Sequence, residues 1–273
     1  MTKKSNLFVL GIVISLTTGV QVFAGNNAAT ASVKERYETA KQIAVYHSAG
    51  LEYVFNVFKK DGKLLQEVVS NKDEKQTAEV VLKVIVSHVS KSDVSAALER
   101  LSKNFPTQDA GNFKNTTMPK SVVYFDKVVD NIRDESLYED AFAKAMDSKE
   151  FTAFSEPEQN DILLMFAIYA DSYQYWTGNL NNWSNLTVSV LPPSDKPLIE
   201  SNLKKFSWRN VGKADAAGAI GGAVGGAIGG AIAGSAVGGV GAIPGAIGGA
   251  LAGAVSVGAG TSVTYALFQI FGL

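Results

Sequence analysis

The last 58 residues of the chain, Ala216 to Leu273, contain no Asp, Glu, Lys, Arg or His and hold 18 of its 26 glycines. A helix without charge has no strongly solvated face, so it must be covered by other protein, by another copy of itself or by lipid. The glycines are ordered. Gly218, Gly222, Gly226, Gly230, Gly234 and Gly238 recur every four residues, with Gly221, Gly225 and Gly229 in a second row beside them. Ile220, Val224, Ile228 and Ile232 keep the same interval, displaced by two. Two residues on a helix turn by about 200°, so the glycine stripe and the branched stripe face opposite ways. The pattern restarts with Gly241, Gly245, Gly249 and Gly253 on the smooth side and Ile243, Ile247, Leu251 and Val255 on the branched side.

Gly238, Gly239 and Gly241, followed by Pro244, separate the two runs. Glycines end a helix and a proline can begin the next, so these four residues predict a hairpin turn. The first arm, Ala216 to Val237, is about 33 Å long and the second, Pro244 to about Phe271, is longer; each reaches across a hydrocarbon core of about 30 Å. Each glycine costs a helix about 1 kcal/mol relative to alanine, so a lone arm should not be helical in water. Close packing must compensate, arm on arm, copy on copy or against the rest of the chain. Gly and Ala also add little to insertion, which suits a segment that survives export and enters a membrane later.

The other end of the chain reads as an export signal. Lys3 and Lys4 precede an apolar run from Leu7 to Leu16, and Val22-Phe23-Ala24 places small or apolar residues before Gly25. The run is too short to span a bilayer, which takes about 20 residues, so cleavage between Ala24 and Gly25 is expected. The protein is then secreted, on the cell surface, or periplasmic and membrane-associated. The three segments are a signal peptide (1–24), a helical bundle domain (25–212) and a Gly/Ala-rich helical hairpin (213–273). With no cysteine, the chain has no disulfide, no thiolate chemistry and no lipoprotein anchor.

Residues 25–215 carry 23 basic and 26 acidic residues, too balanced to bind nucleic acid. Its periodicity is helical. Val33, Tyr37, Ala40, Ala44, His47, Leu51, Val54 and Phe58 alternate steps of four and three, the seam of a helix packed along a neighbour, and Asp61-Gly62 ends it. Further helices are expected with Ala78, Val81, Val84, Ile85 and Val89 buried, after Ser92-Asp93, after Pro119, and from Glu135 to Met146. Ser155-Glu156-Pro157-Glu158 is a capping box, and it launches nine apolar residues, Ile162 to Ala170, that predict a helix buried on all sides. Polar residues 108–117 and 179–185 read as loops, and Pro192-Pro193 starts a last helix through about Phe206. The fold class is all-α, a soluble helical bundle followed by a C-terminal glycine-zipper hairpin.

No motif for hydrolysis, nucleotide binding or metal ligation is present, so no catalytic residue, metal site or cofactor is assigned. His47 and His88, the two histidines of the chain, read as core or boundary residues, with a pH sensor as the alternative. Glu156 and Glu158, and Asp134 with Glu135, sit where a helix dipole favours negative charge. The aromatic group Tyr169, Tyr173, Tyr175, Trp176 and Trp183 reads as packing.

Through Ala217-Gly218-Ala219-Ile220-Gly221-Gly222 and the repeats after it, the tail resembles the glycine-zipper membrane segments of small bacteriocins and related secreted bacterial toxins. The resemblance covers the 58-residue tail, a fifth of the chain. It implies permeabilisation of a target membrane by GxxxG-mediated helix association, with Gly218, Gly222, Gly226, Gly230, Gly245, Gly249 and Gly253 as contacts. By architecture alone, the chain is also similar to pore-forming colicins, in which amphipathic helices shield an apolar hairpin. The expected partners are a lipid bilayer, other copies through the tail, and a receptor or immunity protein. Competing readings are a transmembrane hairpin anchoring a periplasmic or surface domain, a tail buried against its own bundle, and a low-complexity segment that aggregates or stays unfolded. An anchor predicts that removing residues 213–273 releases a folded domain.

Overall fold

The computed structural model describes residues 31–71, 73–102, 119–235 and 242–271, and in the tail it describes side chains up to Gly222 and from Leu251. The proposed signal with Ala24 and Gly25, the run 108–117 and the turn residues Gly238, Gly239 and Gly241 lie outside the described residues. Eleven α-helices, two short 3-10 turns and no strand make up the described part, so the fold is all-α.

Helix α1 (Val33–Lys60) buries Ala40, Ala44, His47, Leu51, Val54 and Phe58, the positions its period selects. It lies along α8 (Glu156–Val190), the central helix. Every residue of α8 from Ile162 to Ala170 is buried, as a run without a polar face requires. At its start the Ser155 amide and hydroxyl both donate to the Glu158 carboxylate, at 2.9 and 2.7 Å. The loop expected at 179–185 is instead the continuation of α8. Packing overrides composition there: Trp183 and Thr187 are fully buried, and the Trp183 indole donates to the Tyr175 hydroxyl at 3.0 Å. Gly178 does not break the helix, because glycine weakens a helix only by about 1 kcal/mol and burial of one indole exceeds that.

Asp61 is a one-residue break, after which α2 (Gly62–Asn71) forms a helix that the sequence did not single out, burying Leu65, Val68 and Val69. Helices α3 (Glu74–Val89) and α4 (Ser92–Ser102) follow, then α5 (Lys120–Asp130), which begins just after Pro119. The single helix expected from Glu135 to Met146 is a 3-10 turn, Glu135–Leu137, leading into α6 (Tyr138–Met146). Short α7 (Lys149–Thr152) precedes α8, and α9 (Lys196–Leu203) follows a 3-10 turn at Pro193–Asp195.

The tail forms α10 (Trp208–Ser235) and α11 (Ala242–Phe271), with Pro244 in the first turn of α11. Helix α10 starts before the 212/213 boundary and runs through it without a break. The two arms pack on each other. Helix α10 also packs on α8 and α5, and α11 packs on α1, α3, α4 and α9. Leu251, Ala254, Val255, Ala259, Val263, Ala266, Leu267 and Ile270 of α11 are buried in the same core as α1 and α8. The base of the hairpin is therefore packed into the core of the bundle. Among the described residues one segment, Leu251–Phe271, is long and apolar enough to cross a bilayer, and 67% of its most apolar stretch is buried.

Candidate functional site

The last three charged residues of the chain are Arg209, Lys213 and Asp215, and all three fasten the base of α10 to the bundle. Arg209 donates to the Ile132 carbonyl and pairs with Glu135 at 3.2 Å. Lys213 reaches Asp126 and Asp130 of α5 at 3.1 and 3.0 Å. These pairs are partly exposed, and each is worth at most about 1 kcal/mol.

Asp215 is different because it points inward and is fully buried. Its Oδ2 accepts a hydrogen bond from the Ser262 hydroxyl of α11 at 2.7 Å and lies 3.6 Å from Nε2 of His47 on α1. The Nδ1 side of His47 is bonded to Asp171 of α8 at 2.9 Å. Ser262 in turn accepts from the Trp176 indole at 2.8 Å. Four helices that are far apart in sequence, α1, α8, α10 and α11, thus meet in one buried polar cluster. Burial pushes the Asp215 carboxyl up to about 7, against the pull of the His47 charge and the Ser172 and Ser262 hydroxyls, and the Asp171 charge adds to the rise. For His47, burial alone would lower the pKa, but the Asp171 hydrogen bond, the charges of Asp215 and Asp171 and the nearby Gly258 carbonyl outweigh it and raise it.

A histidine between two carboxylates beside a serine resembles hydrolytic machinery only in composition. His47 is fully buried, and the Ser262 hydroxyl donates to Asp215 rather than to the imidazole, so it gains no nucleophilic character. The other sequence candidates separate. His88 stacks on Tyr53 with centroids 4.7 Å apart. Asp134 caps the 3-10 turn through the Ser136 amide, Glu135 holds Arg209, and the Glu156 carbonyl accepts from Arg36. Trp176 and Trp183 are core residues. No group of three or more metal-binding side chains occurs among the described residues.

Of the zipper positions with described side chains, Gly218, Gly222 and Gly253 lie where the arms meet. A Cβ added to Gly222 would fall 2.1 Å from the Gly253 carbonyl oxygen, and one at Gly218 would fall 2.5 Å from the Thr261 hydroxyl. The arms touch backbone to backbone there. The surroundings of Gly226, Gly230, Gly234, Gly245 and Gly249 lie outside the described side chains.

The sequence reading placed His47 in a seam but did not find Asp171, Asp215 or Ser262. Two signals were present: Asp171 ends the nine-residue apolar run, and Asp215 is the last charge before the tail. No family model, curated protein or solved structure matches this chain.

Proposed function

We propose that this is an exported, membrane-directed protein whose glycine-zipper hairpin inserts into a bilayer and self-associates, as a bacteriocin-like permeabilising toxin would, and whose bundle holds the base of the hairpin beforehand. The observation that carries the reading is the division of labour along the tail. Every remaining charge is spent at Arg209, Lys213 and Asp215 on holding the base, and the arms beyond pack on each other through bare backbone at Gly222 and Gly253. A hairpin whose closest contact is its own other arm can move between environments as a unit.

Length decides what insertion requires. From Ala223 to the end of α10 at Ser235 there are 13 residues, about 20 Å of helix, short of the roughly 30 Å hydrocarbon core. A spanning arm must include Ala216, Ala219 and Ile220, which are now buried in the bundle. Insertion across the full bilayer therefore means lifting the base out. The partners on this reading are lipid, further copies of the chain and a receptor or immunity protein recognised by the bundle; no reaction step is assigned.

One observation favours a second reading. The burial of α11 in the core suits a tail that stays packed against its own bundle as a core helix. Dye release from phosphatidylethanolamine/phosphatidylglycerol vesicles separates the two. The toxin reading expects leakage, reduced at least about tenfold by Gly226→Leu with Gly249→Leu, since bulky side chains block close helix association. Absence of leakage with the protein soluble and monomeric would favour the buried tail, and absence of leakage with the protein in the producing cell's inner membrane would favour an anchor; leakage unchanged in the double variant would remove the stripe as a contact surface.

A further inference from the structure

A stored base that must lift out needs a release, and the base contains a buried titratable cluster at the junction of α1, α8, α10 and α11. We infer that His47, Asp171 and Asp215, with Ser262, form a proton-operated latch: while protonated the cluster clamps the hairpin base to the bundle, and loss of a proton opens it. Its biological consequence rests on the membrane reading above; the latch itself is a property of the protein in water.

Charge balance is the reason. With His47 protonated, Asp171 ionised and Asp215 protonated, the cluster is neutral, with His47 bonded to Asp171 and Ser262 bonded to Asp215. Removing one proton leaves a net negative charge in a fully buried site, and Asp215 Oδ1 has no hydrogen-bond partner to carry it. Protons can reach the cluster. Asp171 keeps 17% of its side chain exposed and lines a cavity of about 310 Å³ between α1, α6 and α8, beside Tyr37, Lys41 and Gln174.

The groups facing Asp215 from each neighbouring helix are His47 on α1 and Asp171 with Ser172 on α8; α11 contributes the Ser262 hydroxyl. On α5, Asp126 and Asp130 face Lys213 instead. Lys41 and Glu139 share the cavity with Asp171. Both shifts are upward, which fixes the sign. A raised Asp215 contributes stability that is fullest below its ordinary value near 3.8 and is lost as pH rises toward about 7. A raised His47 contributes stability present below 6.5 and lost as pH climbs through its folded value. The latch is tightest in acid and loosens as pH rises toward neutrality.

Hydrogen exchange of the α11 amides, corrected for intrinsic exchange, tests this in the full chain without lipid. Protection should fall as pH rises from about 4 to about 7, by about tenfold per pH unit, the slope of one linked proton, while the His47 ring is still protonated at pH 6.5. In Asp215→Asn the slope should flatten and protection at pH 7 should approach its value at pH 4. Protection independent of pH in the unmodified protein, or an unchanged slope in Asp215→Asn, overturns the latch. Should that variant not fold, a His47 ring already neutral at pH 5, or one that titrates with no change in α11 protection, overturns it equally. Adding the vesicles distinguishes the two claims: pH-dependent opening without lipid partition keeps the latch and sinks the membrane reading, and partition with pH-independent opening does the reverse.

Discussion

Removing residues 251–273 is expected to unfold the bundle, not to release it. The deletion takes Leu251, Val255, Val263, Leu267 and Ile270 out of the core, each at most 1% exposed, along with three buried alanines. At roughly 1.5 to 3 kcal/mol for each large side chain, the loss is about 8 to 15 kcal/mol. Domains of this size have about 5 to 15 kcal/mol in all. The deletion also takes Ser262, removing the acceptor of the Trp176 indole and the hydroxyl that donates to Asp215 in the interior. Circular dichroism of the truncated protein should show reduced helix and no cooperative thermal transition. A cooperative melt within a few degrees of the intact chain would mean that α11 is not part of the core.

Two adjacent glycines should respond oppositely to alanine. At Gly222 a methyl group would meet the Gly253 carbonyl oxygen at 2.1 Å and carbonyl carbon at 2.7 Å. Backbone cannot swing aside as a side-chain end can, so the arms must separate and lose contact along their base. Overpacking of this kind outweighs the helix propensity gained, and Gly222→Ala should destabilise by about 3 kcal/mol. A Cβ at Gly221 meets nothing within 4 Å, so Gly221→Ala should be neutral or stabilise by up to about 1 kcal/mol. Chemical denaturation of both variants checks this. Equal effects at the two positions would show that the arms do not approach through the Gly222 row.

That contrast marks the boundary of what could be read from residues alone. The order of the glycines, the opposed branched stripe and the place of Pro244 are local patterns, and α10 and α11 follow them. The same holds for the α1 seam, the Ser155 and Glu158 cap and the buried run of α8, because a helical period or a capping box lies within a few residues. Which glycine row faces the other arm depends on the position of Gly253, some 30 residues away, and no spacing encodes it. The cover of the tail is harder still. A charge-free helix accepts protein or lipid equally, so its composition does not show that α1, α3 and α4 surround the end of α11. At positions 178–185 a glycine and four asparagines argue for a loop, and only the burial of Trp183 reveals the helix. The polar cluster joins His47 to Asp171, 124 residues on, and to Asp215 beyond; a seam position says that His47 faces a neighbour but not which one.

Release of the base is the step on which storage, latch and insertion converge, and the chain offers a direct way to forbid it. It has no cysteine, and a Cβ at Gly50 of α1 would lie 3.4 Å from the Ala259 Cβ of α11, close to the separation found in disulfides. The double variant Gly50→Cys with Ala259→Cys should oxidise to a single bridge that ties α11 to α1. Dye release from phosphatidylethanolamine/phosphatidylglycerol vesicles is then measured before and after reduction. The expected result is no release by the oxidised protein and full release once the bridge is reduced. Equal release by the bridged and reduced forms would contradict a hairpin that must leave the bundle in order to act.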